Sequence, residues 1–363
     1  MSMPLDPAMA PNAAAPAPLH RQRSIPAWLH QPVWRPLAAL AVLLLVDLLL
    51  VPGFFRLDIK DGHLYGSLVD IANRAAPLML AALGMTLVIA TRGIDISVGA
   101  VVALSGTVAA VLIGGSMVIQ DGVPVYVSRM PLAWALAASL GAALLCGAWN
   151  GVLVAGLRLQ PIVATLILMV AGRGLAQLFT DGQIVTVYYK PFFYLGSGYL
   201  FGLPFSLYVV ALVAGLTALL VTKTALGLFI QAVGINPVAA RLAGVRTATL
   251  VFSVYVFCSA CAGVAGVMIC SNIKSADANN AGLLLELDAI LAVTLGGTQL
   301  AGGRFNLGGS LVGALIIQTL TYTIYSLGVP PEVNMVVKSI VVFIVCLAQS
   351  ERMHELLRQR RAR

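Results

Sequence analysis

Of the 363 residues, 60% are hydrophobic and 10% are charged, where a soluble domain carries roughly 25% charged residues. That deficit excludes a soluble globular chain, and the net charge of +8 is accounted for by basic loops beside a membrane rather than by nucleic acid as a partner. Stretches such as Ala100 to Val111 are apolar on every face, which excludes the alternating pattern of a membrane β-barrel. An all-α integral membrane protein is expected, because a helix satisfies its own backbone hydrogen bonds in lipid.

In chain order, residues 1–32 are rich in Ala and Pro, carry Arg21 and Arg23, and lack the apolar core and cleavage site of a secretory signal. A disordered cytoplasmic tail is expected there. A hydrocarbon core of roughly 30 Å calls for about 20 apolar residues per helix. Ten spans are predicted, at 33–52, 70–91, 95–116, 132–157, 161–180, 203–222, 247–272, 283–301, 308–328 and 333–349. They form one membrane body over 33–349, followed by a basic cytoplasmic tail over 350–363. With the first tail in the cytoplasm, 14 of the 22 Lys and Arg fall on that side, six fall opposite, and Arg173 and Lys338 lie in or at the edge of spans. The asymmetry puts both termini in the cytoplasm. The five cysteines all lie in apolar runs and no histidine accompanies the Cys258-x-x-Cys261 pair, so packing is expected of them and no metal site.

The segment Gly93-Ile94-Asp95-Ile96-Ser97-Val98-Gly99 interrupts two apolar runs with a glycine stop, followed by Asp95 or Ser97 as cap of the next helix. It is expected to be a cytoplasmic turn, with Asp95 near a gate or subunit contact as the functional alternative. Gly147 with Gly151, and Gly309 with Gly313, have the spacing of close helix packing. In the connection 223–246, Asn236 is a helix N-cap, Pro237 the first helical residue, Ala239, Ala240 and Leu242 the body and Gly244 the stop. A short amphipathic surface helix is predicted, either a joining element or a docking one. Across Gly296 to Arg304, Gly297 and Gly302 have phosphate-loop spacing, yet Gly303 and Arg304 stand where Lys and Ser or Thr are needed. No nucleotide site is expected; Gly302 and Gly303 serve a sharp cytoplasmic turn that Arg304 orients.

Asp47, Arg173, Glu286 and Asp288 lie inside apolar runs, where an ionisable group is costly unless paired or wetted. They are candidates for a translocation path, in competition with structural pairing between helices. Asn150, Gln177, Asn272 and Gln318 offer uncharged hydrogen-bonding groups that suit a neutral polyhydroxylated solute.

Four segments in order resemble one family: GIDISVGA at Gly93–Ala100; Trp149-Asn150-Gly151 continuing through Gln160–Leu166 to Gly172-Arg173-Gly174; AVGINPVAARLAGV at Ala232–Val245; and TLGGTQLAGGRFNLGGSLVGALI at Thr294–Ile316. The chain resembles the permeases of bacterial ABC importers for ribose and related simple sugars, over nearly everything after residue 65. The stretches Lys274–Gly282 and Leu285–Ile290 are most similar to the galactofuranose permeases of enteric bacteria. The resemblance implies a periplasmic sugar-binding protein, two permease chains as a heterodimer or homodimer, and two cytoplasmic ATPases that bind ATP and Mg, with no cofactor in this chain and no catalysis by it. It makes Gly234, Asn236, Ala239, Ala240, Arg241 and Gly244 the coupling helix that docks on the ATPase. A proton-coupled secondary transporter, with Asp47 or Glu286 and Asp288 as relay, is the alternative.

Overall fold

A computed structural model describes residues 34–344, except 61, 121–122, 331–332, 334–335, 337–338 and 341–342. The expected tails over 1–32 and 350–363 lie outside the described residues, as does most of the span expected at 333–349. The helices are α1 (Trp34–Leu50), α2 (Ser67–Ala90), α3 (Val98–Ile113), α4 (Leu132–Gly151), α5 (Pro161–Phe179), α6 (Lys190–Ser197), α7 (Phe205–Lys223), α8 (Leu226–Ile235), α9 (Pro237–Leu242), α10 (Thr247–Ile273), α11 (Leu285–Leu295) and α12 (Leu307–Ser326). A π-helical segment, Val152–Gly156, prolongs α4. Short antiparallel pairs join the helix ends: 58–60 with 63–65, 116–120 with 123–127, 185–186 with 275–276, and 199–200 with 203–204.

Among the described residues, six helices are long and apolar enough to cross a membrane, α2, α4 with its π extension, α5, α7, α10 and α12, while α1, at 17 residues on the span expected at 33–52, falls just short. Two expected spans are shorter than composition alone suggested. The run at 95–116 yields a helix of 16 residues and the run at 283–301 one of 11, about 24 and 16 Å long at 1.5 Å per residue. Neither reaches across a core of roughly 30 Å. The apolar runs overreach these helices because hydropathy reads across the Gly114-Gly115 and Gly296-Gly297 pairs at which they end.

α10 is the centre of the bundle, packed on α4, α2, α3 and α6. α12 lies on α2 and α11, α1 lies on α12, α5 on α3, and α7 on α2. α2 and α3 are buried almost all round, whereas α4, α5 and α7 turn Trp134, Leu145, Val170, Leu178, Leu212 and Leu219 outward, as a lipid- or partner-facing wall requires. Small residues let the central helices touch. A Cβ at Gly84 would stand 2.7 Å from the Cys258 Cα, one at Gly147 2.7 Å from the Val256 Cα, and one at Gly313 3.1 Å from the Ala292 Cα. Both predicted glycine pairs therefore pack as read. Among the intramembrane acids, Asp47 is buried and accepts a hydrogen bond from Thr323 at 2.5 Å, which ties α1 to α12.

Candidate functional site

The connection 223–246 is built as two helices rather than one. α8 was not expected: Ala225 holds its N-cap position with no side-chain bond, and it is the Thr224 hydroxyl, one residue earlier, that accepts the Leu226 amide at 3.2 Å. α9 forms as read from the sequence. Asn236 accepts hydrogen bonds from the Val238 and Ala239 amides at 3.0 and 3.1 Å, Pro237 opens the helix, and Gly244 follows its end at φ +87°. The pair is fixed to the bundle at Gly234 and Ile235. Arg92 Nη2 donates to the Ile235 carbonyl at 2.5 Å, Gly303 N donates to the Ala90 carbonyl at 2.9 Å, and a Cβ at Gly234 would stand 2.8 Å from the Gly303 Cα. Gly234 and Ala240 are buried against the bundle and cannot touch a partner. The outward face consists of Val238, Ala239, Arg241 and Leu242, with Leu242 85% exposed; the sequence reading places Leu242 in the body of the helix without a docking role and passes over Val238, because apolar residues on a surface helix resemble membrane contacts.

Gly302 and Gly303 take φ of +84° and +91° in the 296–306 turn, so a side chain there would be strained. Their role is close approach to Arg92 and Ile235. Arg304 is exposed beside them.

The second part is the break between α2 and α3. Asp95 is fully buried, and its Oδ1 accepts the Ser97 amide at 2.9 Å and the Ser97 hydroxyl at 2.6 Å. Asn150, reaching over from α4, donates to Ser97 Oγ at 2.8 Å and to Asp95 Oδ1 at 3.4 Å. Thr165 on α5 accepts the Ile96 amide at 3.1 Å. Ser97 stands at the N-cap of α3 but makes no side-chain cap bond; its hydroxyl is committed to Asp95, which corrects the expected capping. Full burial also removes Asp95 from any subunit contact in this chain. Gly93 permits Tyr255 of α10 to close in, since a Cβ would stand 2.5 Å from the Tyr255 hydroxyl. Sequence reasoning passed over Tyr255; its one signal is a phenol inside an apolar run.

The third part is the segment between α10 and α11. Arg173 on α5, for which carboxylate pairing was one of two readings, makes no ion pair among the described residues and donates from Nη1 to the carbonyls of Ala278, Asn279 and Ala281 at 3.1, 2.7 and 3.3 Å. Gln177, one turn further, donates to Asn279 Oδ1 at 2.6 Å. Asp277 accepts the amides of Asn279 and Asn280 and the Asn280 side chain at 2.7 Å. The Asn280 side chain first, with those backbone amides and the Arg173 charge adding to it, holds the Asp277 carboxyl below its ordinary range. Gly282 and Leu284 take φ of +64° and +61° as this segment turns into α11. Glu286, buried in the first turn of α11, lies against Gly99 of α3, where any Cβ would collide with its carboxylate and with the Gly282 carbonyl. Asp288 is half-buried in the same turn.

The candidates for a path thus fall into two clusters. Asn150 joins Asp95 and Ser97; Arg173 and Gln177 meet at Asn279; Glu286 abuts the start of α3 between them. Asn272 belongs to neither, because its side chain donates to the Gly196 carbonyl at 2.9 Å and fastens α6 to α10.

Two part-length helices that meet inside a bundle of full-length ones, with a surface helix pair bonded to the break beside them, define a membrane transport subunit. The chain belongs to the branched-chain amino acid transport system / permease component family, which it matches over residues 67–346. It is 52% identical over 328 residues to the galactofuranose transporter permease protein of Escherichia coli, covering 90% of this chain and 92% of that one. It is 37% identical over 301 residues to the fructose import permease protein of Bifidobacterium longum, with 82% and 81% covered. It is 36% identical over 330 residues to the ribose import permease protein of Escherichia coli, with 90% and 95% covered. No solved structure is significantly similar to the chain. The family is one of transport permeases rather than of enzymes.

Proposed function

We propose that this chain is the permease subunit of an ATP-binding cassette importer that carries a monosaccharide, galactofuranose-like or ribose-like, across the bacterial inner membrane by alternating access. The observation that carries the reading is the joint at which the end of α8 meets Arg92, the 302–303 turn and the end of α2. The Arg92 guanidinium bonds the Ile235 carbonyl at the end of α8, and Gly234 packs on Gly303, whose amide bonds the Ala90 carbonyl at the end of α2, so a push on the exposed face of α9 reaches the start of the 91–97 segment through these contacts. The residues Asp95, Ser97 and Asn150 then act as the gate on that side, and Arg173, Gln177 and Glu286 with the 274–284 segment form the opposite one. Rocking of the bundle opens them alternately. The chain itself makes and breaks no bonds. A separate ATPase binds ATP and Mg and supplies the push, a periplasmic sugar-binding protein delivers the solute, and a second permease chain, identical or related, completes the path within the lipid. Similarity to permeases of galactofuranose, fructose and ribose supports a neutral sugar, and the uncharged amides at both gates suit one.

The test is uptake of labelled galactofuranose and ribose into proteoliposomes holding this chain with its ATPase, partner permease and binding protein. Uptake that requires ATP supports the importer. Uptake by this chain alone, driven by an imposed proton gradient, overturns it in favour of a secondary transporter.

A further inference from the structure

A cavity of about 760 Å³ opens beside α9 and is lined by residues of the 91–93 turn, the π segment 154–156, Arg158, the start of α5, α9 and the start of α10. Four arginines line it, Arg92, Arg158, Arg241 and Arg246, and no acidic side chain does. Arg92 spends one nitrogen on the Ile235 carbonyl. Arg158, Arg241 and Arg246 have no hydrogen-bond or ion-pair partner among the described residues. The hydroxyls of Thr91 and Thr247 also belong to the lining. So does Tyr255, which is fully buried, has a hydroxyl with no hydrogen-bond partner, and lies with that hydroxyl beside Gly93, another wall residue.

The backbone adds an independent observation. Arg92 and Arg158 adopt φ of +65° and +55°, a left-handed conformation that glycine takes freely and a long side chain does not. Each closes a membrane helix, and the second follows a π-helical turn, a form concentrated at functional sites. Two strained positions that each carry arginine into one cavity are not explained by a general bias of basic residues toward one side of the membrane, which any loop position satisfies.

We infer that this cavity is a binding site for a phosphate-bearing anion. Four guanidinium groups and the hydroxyls of Thr91, Thr247 and Tyr255 line it, which is the chemistry that recognises phosphate. Its volume exceeds what inorganic phosphate fills and falls within the range of small-molecule sites. The apolar wall of Val154, Leu159 and Val251 leaves room for a carbon skeleton behind the phosphate. The phosphate belongs either to a soluble phosphomonoester or to an anionic lipid headgroup. Occupancy would brace α9 against the α4–α5 turn, and so would regulate how the surface pair moves. The inference goes beyond the transport reading and does not depend on it.

The test measures binding rather than transport. The purified full chain is placed in phosphatidylcholine nanodiscs and titrated with glucose 6-phosphate, with glucose as control, by calorimetry; a parallel sample in nanodiscs containing phosphatidylglycerol is examined by native mass spectrometry. Saturable binding of the phosphate ester without binding of glucose supports the site with a soluble ligand. Retained phosphatidylglycerol that blocks the ester supports it with a lipid. In either arm Arg158→Gln with Arg246→Gln is expected to weaken binding about tenfold or more, and the lysine replacements to restore part of it. Both pairs are exposed, so folding is checked by an unchanged melting profile. Absence of binding in both arms, or binding unaffected by the glutamine pair, overturns the inference.

Discussion

At the scale of single residues, the bundle depends on positions where nothing larger than hydrogen fits. Gly84 faces the Cys258 backbone at a distance no Cβ tolerates, whereas Gly141 on α4 has open space around it. Gly84→Leu is therefore expected to lower stability by about 1–3 kcal/mol or more through overpacking, read as a lower melting temperature in detergent, while Gly141→Leu leaves it unchanged. Equal melting of both variants would contradict the α2–α10 contact. The spacing of Gly147 with Gly151 and of Gly309 with Gly313 was legible because both members lie on one helix. Gly84 was not, since its partner is 174 positions away in sequence. The buried Asp95 network makes a second prediction. Asn150→Leu leaves Ser97 Oγ and Asp95 Oδ1 without the donor that α4 supplies, at a cost of about 1–3 kcal/mol. Reduced thermal stability with lowered uptake is the expected result, and a variant as stable and active as the parent would remove Asn150 from the gate.

At the scale of elements, α9 separates packing from docking. Leu242→Asp changes only the outward face and is expected to abolish co-purification of the ATPase while the melting temperature stays unchanged. Gly234→Leu, by contrast, drives α8 off the 302–303 turn and is expected to reduce both. Loss of stability in Leu242→Asp, or retained association, would overturn the division. The cap chemistry of α9 was readable to the residue because Asn-Pro and a terminal glycine act locally. α8 and the short lengths of α3 and α11 were not, because an apolar window reads across the Gly114-Gly115 and Gly296-Gly297 pairs that end α3 and α11, and Asn236-Pro237 was read only as the start of α9 and not also as the end of α8. The 274–284 segment gives a pH prediction. Since the folded Asp277 carboxyl titrates below its unfolded value, its contribution is complete above the ordinary carboxylate range and is lost as pH falls through the lower folded value. Amide exchange protection of residues 279–280 is expected to hold from neutral pH down through the ordinary carboxylate range and to fall only at lower pH, and Asp277→Asn to remove that dependence.

At the scale of the whole molecule, the charge asymmetry assigns a side to each connection, and the fold supplies two sites that test it. Phe201 sits at the tip of the 199–204 hairpin, 91% exposed, immediately before α7. Leu242 lies beyond the other end of α7, on the outer face of α9. One helix long and apolar enough to cross the membrane separates them, so the two positions must lie on opposite sides. Cys146, Cys258, Cys261 and Cys270 are buried and will not react with a bulky reagent; Cys346 is replaced by serine. In that background an impermeant maleimide is expected to label Phe201→Cys in intact cells and Leu242→Cys only after the membrane is opened. The reverse pattern would invert the orientation that the Lys and Arg distribution dictates and would put α9 out of reach of any cytoplasmic ATPase. Labelling of both from one side would mean that α7 does not cross, and the path between the two gates would lose one of its walls.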